Sequence, residues 1–514
     1  MGSQGDRSSF AMPETPPTDG LRAKVLRGFA WKTASRIVLQ VSRFAVAVIL
    51  ARLLAPHDYG LAAMVLVFSG FVVLVGETAL GTALIQRREI SEADRSTVFW
   101  TGLATGLLLT VFGIVLAGPL AAFYGEPAVS SLFAVLSLSF VVTALGTTQT
   151  ALLTREMNFR ALEIRQMAAA VVGAVVGIGA AVHGYGAWSI VAQQLAIASV
   201  STILLWQFSS WRPSFRFSWA SLKSFAAFTG SVYGQNLLYY GGRNADNVLV
   251  GRYLGASALG VYALAYNIML APFHSVAGLI QQVMFPAFSR LQDDRKKMAD
   301  VWIRMTRMVA AFTMPALAGL AIVAADFVDV LLGSRWSDAT RVIQILAIVG
   351  LIQSLQTVNG DILVALGRAG TFFRFTILWF AASLCAFVIG LQWGIIGVAA
   401  CYAVSCMFVE PLNAYITARA LGTPLTRLIR ALGGVSAATA CMGIVVLAAR
   451  IALVHEDVAP AARLALCIAI GVAVFVPLCR VLVPDVTEEL GDIVGRVRRS
   501  RQRDGVKPAT VAEN

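Results

Sequence analysis

Charge is scarce in this sequence: Asp, Glu, Lys and Arg make up 13% of its 514 residues, about half the share usual in a soluble globular chain. With 58% apolar residues and a mean hydropathy of +0.74, the shortage excludes a soluble protein. Metal and redox chemistry lack their usual carriers. There are four histidines, none with a partner at ligand spacing, and the six cysteines (Cys385, Cys401, Cys406, Cys441, Cys467, Cys479) lie in apolar stretches without a CxxC pair. They read as small core hydrophobes, so no metal and no cofactor are expected. A cleavable signal peptide is not evident either, because the first apolar run starts only near Phe29 and lacks a small-residue cleavage site.

What is present is a succession of apolar runs, each of about 20 residues or more and so long enough to cross a bilayer. They fall near 29–54, 59–84, 96–122, 128–152, 163–183, 186–208, 225–251, 258–285, 301–325, 339–364, 372–392, 395–418, 427–449 and 460–483. The expected fold is an all-α polytopic membrane protein with fourteen transmembrane helices. Basic residues collect in alternate connections, such as Arg87, Arg88 and Arg95, or Arg290, Arg295, Lys296 and Lys297. The other connections hold only Arg52, Arg252, Arg335, Arg341, Arg450 and Arg463. Because Lys and Arg favour the cytoplasmic side, the basic connections and both termini are expected in the cytoplasm. The same placement accounts for the net charge of +13 without a nucleic-acid partner, since no reading motif accompanies it, and leaves membrane lipid as the partner of the basic tail.

One pattern recurs at a shift of 200 residues. Ile49-Leu50-Ala51-Arg52-Leu53-Leu54 with Tyr59-Gly60-Leu61 matches Leu249-Val250-Gly251-Arg252-Tyr253-Leu254 with Leu259-Gly260-Val261, and Arg43 matches Arg243. Six spans separate the copies, so the halves are expected to be parallel repeats about an axis along the membrane normal. The resulting division is a disordered tail 1–20, an N-lobe 21–222, a C-lobe 223–424, two further helices within 425–484 and a basic tail 485–514. Two pseudo-symmetric six-helix bundles would flank a central cavity.

Charges inside spans are costly and point to function. Nine residues of helix place Arg43 and Arg243 about 13 Å inside the boundary arginines Arg52 and Arg252, near mid-bilayer. Lys32, Arg36, Gln40 and Arg43 follow at helical spacing on the first span, as do Asn236, Tyr240, Arg243 and Asn247 on the seventh. Tyr239 adds to the aromatic crowding beside Arg243. A structural reading stands beside the functional one: Arg243 with Asp246, and Arg43 with Glu77, can neutralise one another. Glu410, next to the helix-distorting Pro411, is a candidate cation or proton site. Asp361 is close enough to Arg368 to reach the interface and reads as structural. These carboxylates outnumber Arg43 and Arg243, so attraction for anions does not follow from mid-membrane charge alone.

Six stretches in order, Leu53-Leu54-Ala55-Pro56-His57-Asp58-Tyr59-Gly60, Arg155-Glu156-Met157-Asn158-Phe159-Arg160, Gly184-Tyr185-Gly186-Ala187-Trp188, Asn244-Ala245-Asp246-Asn247-Val248-Leu249-Val250-Gly251-Arg252, Phe285-Pro286-Ala287-Phe288-Ser289-Arg290-Leu291-Gln292 and Leu332-Gly333-Ser334-Arg335-Trp336, carry a family resemblance. From about Leu21 to Leu421 the chain resembles polysaccharide flippases of the multidrug/oligosaccharidyl-lipid/polysaccharide exporter superfamily, of the colanic-acid exporter type. The resemblance implies transfer of undecaprenyl-diphosphate-linked oligosaccharide across a bacterial inner membrane by alternating access, coupled to a cation gradient or the membrane potential. It implies diphosphate binding by Arg43 and Arg243, with Arg52 and Arg252 as helpers. From the helix faces themselves, Lys32 and Arg36 near the cytoplasmic mouth would help, and Gln40, Asn236, Tyr239, Tyr240 and Asn247 are the sugar and cavity candidates. Asp246, Glu77 and Glu410 are the coupling candidates. A polysaccharide polymerase and glycosyltransferases would be partners, and no catalytic residue is expected. A cation-coupled drug antiporter would want a more acidic cavity. A membrane polymerase or ligase would want a long outer loop, whereas the longest outer connection, about Asp326 to Asp338, is too short for a domain.

Overall fold

The computed structural model of the chain describes residues 39–484, apart from 78–80, 82, 83, 86, 88, 292 and 293, with the backbone alone for 73–77, 224–237 and 272–290. Lys32 and Arg36 lie outside these residues, and so do the side chains of Glu77 and Asn236. The described residues form helices and turns, with no strand among them. In order these are α1 (residues 39–53), α2 (Pro56–Glu77), α3 (Glu92–Tyr124), α4 (Ala128–Arg155), α5 (Phe159–Val182), α6 (Trp188–Phe208), α7 (Trp219–Arg290), α8 (Arg295–Phe327), α9 (Ala339–Ser354), α10 (Asn359–Ala365), α11 (Ala369–Gly390), α12 (Gly394–Leu421), α13 (Leu425–His455) and α14 (Pro460–Leu482). Ten segments among the described residues are long and apolar enough to cross a membrane. Large apolar side chains on them face outward, such as Leu108 and Val115 of α3, as expected of a multi-pass membrane protein whose solvent is lipid.

Local chemistry sets the helix ends. The Asp94 N–H donates to Ser91 Oγ (3.1 Å) and the Ser91 N–H donates to Asp94 Oδ2 (2.9 Å), a reciprocal cap that starts α3. Gly125, at φ 73°, stops it in a left-handed turn that a side chain would strain. Gly255, at φ 85° and ψ 176°, breaks α7 into two arms where the sequence separates 225–251 from 258–285. One expected span differs. The run 339–364 is not one helix but α9 and α10, parted at residues 355–358, where the backbone bonds tighten to i→i−3 turns (Leu355 to Ile352, Gln356 to Gln353, Asn359 to Gln356) and polar side chains brace the break. Thr313 donates to Ser354 Oγ (2.9 Å), the Trp302 indole donates to Asn359 Oδ1 (2.8 Å), and Asn359 donates to Gln356 Oε1. Trp302 and Asn359 are fully buried, so these bonds satisfy groups that lipid could not.

The repeat meets itself in space. α2 packs along α7, and Gly60 and Gly260, equivalent positions in the two copies, lie at their crossing. A Cβ on Gly60 would fall 1.7 Å from the Ala256 carbonyl oxygen, and one on Gly260 would fall 1.9 Å from that of Pro56. Both obstacles are backbone, so neither can yield by a rotamer change. Gly60→Val is therefore expected to destabilise the protein by at least about 2 kcal/mol, as overpacking does, read as a lowered unfolding midpoint in detergent. An unchanged midpoint would show that the helices cross elsewhere.

Other contacts close the same end. The Trp336 indole, fully buried, donates to the Ala51 carbonyl (2.7 Å) and takes the edge of Tyr59 at 5.7 Å. Farther out, α13 and α14 are tied to α8 by one carboxylate. Asp326, with its side chain 1% exposed, accepts from Arg450 Nε and Arg463 Nε, each at 2.6 Å.

Candidate functional site

A cavity of about 1270 Å³ opens between α1, α2, α5, α6 and α7. Its polar lining includes Arg43 from α1, Arg165 and Gln166 from α5, Gln193 and Gln194 from α6, and Tyr240, Asn244 and Asn247 from α7, with Asn267 beyond. Among the described residues it contains two arginines, several amides and no carboxylate. No hydrogen bond or ion pair engages Arg43 within the described residues, and its guanidinium, with five N–H donors, lines the cavity. A second compartment of about 660 Å³ is lined by the hydroxyls of Ser69, Ser139, Thr143, Thr147, Thr150 and Ser201, and shares Arg165 and Gln194 with the first. A cationic, amide-rich chamber beside a hydroxyl-lined one suits an anion joined to a polyhydroxylated group.

Helix geometry divides the polar residues of α7 between two faces. Tyr240, Asn244 and Asn247, at steps of four and three, line the cavity, and the Tyr240 hydroxyl also donates to the Val67 carbonyl (2.7 Å). Tyr239, Arg243 and Asp246, with the same steps but one residue earlier, turn into the second half of the chain. This corrects the expectation that Arg243 shares a face with Tyr240 and Asn247. The cause is aromatic: Arg243 lies over the rings of Tyr239 (5.9 Å) and Tyr266 (5.8 Å).

Around Arg243 a buried polar cluster is built. Asp246, 1% exposed, accepts from the Tyr262 hydroxyl (3.0 Å) and the Asn247 N–H (2.8 Å). No direct ion pair joins it to Arg243 among the described residues, and the interaction between them is electrostatic at longer range. Tyr262 stacks on Tyr266 (6.2 Å) and Tyr239 on Trp379 (6.1 Å). Near Trp379 lies Glu410, a buried carboxylate in the field of Arg243 on α12, which runs on through Pro411. Gln353, in the last turn of α9 before its break, donates to Tyr402 (2.7 Å), which stands in the same electrostatic cluster. Two carboxylates and one guanidinium are thus held where water is scarce, and the broken helix reaches them through Gln353 and Tyr402.

The boundary arginines do neither job. Arg52 Nε donates to the Leu331 carbonyl (2.8 Å) and a terminal nitrogen donates to Val330, so it caps the turn 328–332 that follows α8. Arg252 lies over Phe123 of α3 (5.7 Å) and Tyr253 (5.8 Å). Each thus reaches from its own copy of the repeat to the other half of the chain, away from the cavity, because end-of-helix carbonyls and ring faces are the partners within reach. Gln40 is half-buried on α1, one turn from Arg43, and Asp361 is half-buried in the first turn of α10, where the helix dipole favours a carboxylate. Sequence reasoning missed Arg165, Gln166, Gln193, Gln194, Asn244 and Asn267. Their signal was available: each is polar and each lies in or at the end of an apolar run.

The chain matches the model of a family described as "Polysaccharide biosynthesis protein" over residues 49–341. It is 29% identical to the lipopolysaccharide biosynthesis protein WzxC of Escherichia coli, over 74% of this chain and 77% of that one. It is 27% identical to the teichuronic acid biosynthesis protein TuaB of Bacillus subtilis, over 87% and 93%. The succinoglycan biosynthesis transport protein ExoT of Rhizobium meliloti is 31% identical over 63% of this chain and 66% of its own. In fold, the chain is similar to the lipid II flippase MurJ, with a TM-score of 0.72 at 13% identity over 88% of this chain and 99% of that one. Matched over more than half its length, the chain belongs to the polysaccharide biosynthesis protein family of membrane transporters.

Proposed function

We propose that this protein is a flippase that moves undecaprenyl-diphosphate-linked oligosaccharide repeat units from the cytoplasmic to the periplasmic leaflet of a bacterial inner membrane. The observation that carries this reading is the cavity that holds Arg43 and Arg165 and, among the described residues, no carboxylate. A diphosphate brings negative charge and oxygens for guanidinium donors, and an oligosaccharide brings hydroxyls for the amides and the hydroxyl-lined compartment. A drug antiporter selecting organic cations would place carboxylates in that cavity; here Asp246 and Glu410 are turned away from it.

In this reading the fourteen spans form an N-lobe (21–222), a C-lobe (223–424) and two added helices, with both termini cytoplasmic. The Gly60–Gly260 crossing, the Trp336 contact and the Arg52 cap close the periplasmic end while the cavity receives substrate from the other side. Arg43 grips the diphosphate, with Lys32 and Arg36 on its helix leading toward it. Arg243, Asp246 and Glu410 form the coupling centre, where uptake of a cation or proton changes the charge that α7 carries next to the cavity. α7 itself is the link, since its two faces belong to the two sites. Polymerase and glycosyltransferases act after and before this step.

Complementation tests the reading. Expression in strains that lack their own flippase and make repeat units of known structure is expected to restore surface polysaccharide in at least one. Restored resistance to organic cations with no polysaccharide in any strain would favour the antiporter instead.

A further inference from the structure

The segment joining α6 to α7, residues 209–218, is pinned at both ends yet presents its side chains outward. The Trp100 indole donates to the Ser214 carbonyl (2.9 Å), the Ser214 N–H to Ser96 Oγ (3.1 Å) and the Ser218 N–H to Thr97 Oγ1 (2.9 Å), so the start of α3 holds the strap in place. Trp211 donates to Glu92 (3.0 Å), and Arg212 donates to the carbonyls of Trp206 and Ser209 at the end of α6 (3.0 and 2.6 Å). Those residues are consumed by the fold. The remainder face out: Phe215 is 93% exposed, Trp219 75% and Phe217 46%, with Arg216 and Lys223 exposed among them. Neither Arg216 nor Lys223 has an ion-pair or hydrogen-bond partner among the described residues.

Three further observations say what covers this surface. The strap lies between the end of α6 and the start of α7, and helices that cross a bilayer end where hydrocarbon gives way to headgroup. Exposed aromatics alternating with cations are the side chains that fit that level. No Asp or Glu occurs between Glu163 and Asp246, so nothing on the strap offsets Arg216 and Lys223. The acids of the adjoining α3 are already engaged, Glu92 by Trp211 and Asp94 by Arg87 and Ser91.

We propose that the α6–α7 strap is a docking surface for anionic phospholipid headgroups, with Phe215, Phe217 and Trp219 seated at the acyl boundary and Arg216 and Lys223 on the phosphates. The strap is the covalent joint between the halves of the chain and leads directly into α7. Anchoring it fixes the starting end of the helix that carries Arg243 and Asn247 at the headgroup plane.

Quenching measures this on the full-length protein. A variant with its six cysteines replaced by alanine and with Ala220→Cys carries an environment-sensitive fluorophore beside Trp219. It is reconstituted in vesicles of phosphatidylcholine containing either brominated phosphatidylglycerol or brominated phosphatidylcholine. Each cation at an anionic surface strengthens association about fivefold, so the two together give phosphatidylglycerol a preference of about 25-fold at low salt. That preference is expected to fall to near parity in R216Q/K223Q and in high salt, and to survive in R216K/K223R. Equal quenching by both lipids in the parent protein would overturn the proposal. So would a label that neither lipid quenches, whether aqueous iodide reaches it (the strap is in water) or not (another protein surface covers it).

Discussion

Arg43→Ala is expected to abolish surface polysaccharide in a complemented flippase-null strain while the protein remains inserted at its normal level. Arg43 lines the large cavity and, among the described residues, has no partner and shares that cavity with no carboxylate. No described residue depends on it for a hydrogen bond or an ion pair. A charge-assisted grip on a diphosphate is worth about 1.5–3 kcal/mol, which is about 10- to 100-fold in affinity. Arg43→Lys keeps the charge but loses the planar pair of donors, and is expected to retain partial export. Arg165, where the cationic and hydroxyl-lined compartments join, should respond in the same direction. Polysaccharide at parental levels in Arg43→Ala, with normal protein in the membrane, would remove the diphosphate from this cavity.

Much of this architecture could be read before any coordinates. Apolar runs locate α3 to α6 and α11 to α14 within a few residues, because lipid permits only helices that satisfy their own backbone. The 200-residue repeat also held more than topology. Gly60 and Gly260, matched by sequence alone, meet at one crossing, and Arg52 and Arg252 each reach into the opposite half. Faces were harder to read. Arg243, Tyr240 and Asn247 all fit one helical stripe within the tolerance of a spacing argument, and only the rings of Tyr239 and Tyr266 decide which way the guanidinium turns. The α9–α10 break is written in no proline or glycine signal strong enough to interrupt a run; it depends on Trp302 and Thr313, which come from another helix. Asp326 was readable only as part of an outer connection, since its partners Arg450 and Arg463 lie more than a hundred residues away.

The second large effect is expected at Asp246, where a pair of variants separates a structural carboxylate from a functional one. Asp246→Ala leaves the Tyr262 hydroxyl without its acceptor and Arg243 with one compensating charge fewer, at a cost of about 3–5 kcal/mol for a buried group that loses its partner. That variant is expected at sharply reduced levels in the membrane. Asp246→Asn keeps the shape of the site and removes the charge: its oxygen accepts from the Asn247 N–H, and its NH2 donates to the Tyr262 hydroxyl oxygen, which reverses that bond without leaving either group unpaired. It is expected at normal levels with export lost, because a site that cannot change its charge cannot respond to a cation or proton. Glu410, buried beside Trp379 in the same field, gives the parallel test as Glu410→Gln. Combining Arg243→Ala with Asp246→Ala removes both members of the interaction, so a double-mutant cycle measures their coupling. If the carboxylate serves only to balance the guanidinium, the double variant regains both protein and export. If the cluster couples transport, it regains protein and stays inactive, and that is the expected outcome. α7 then acts as more than a wall of the cavity: Arg243 and Asp246 sense charge on one face, while Asn244 and Asn247, one residue along on the other, meet the substrate.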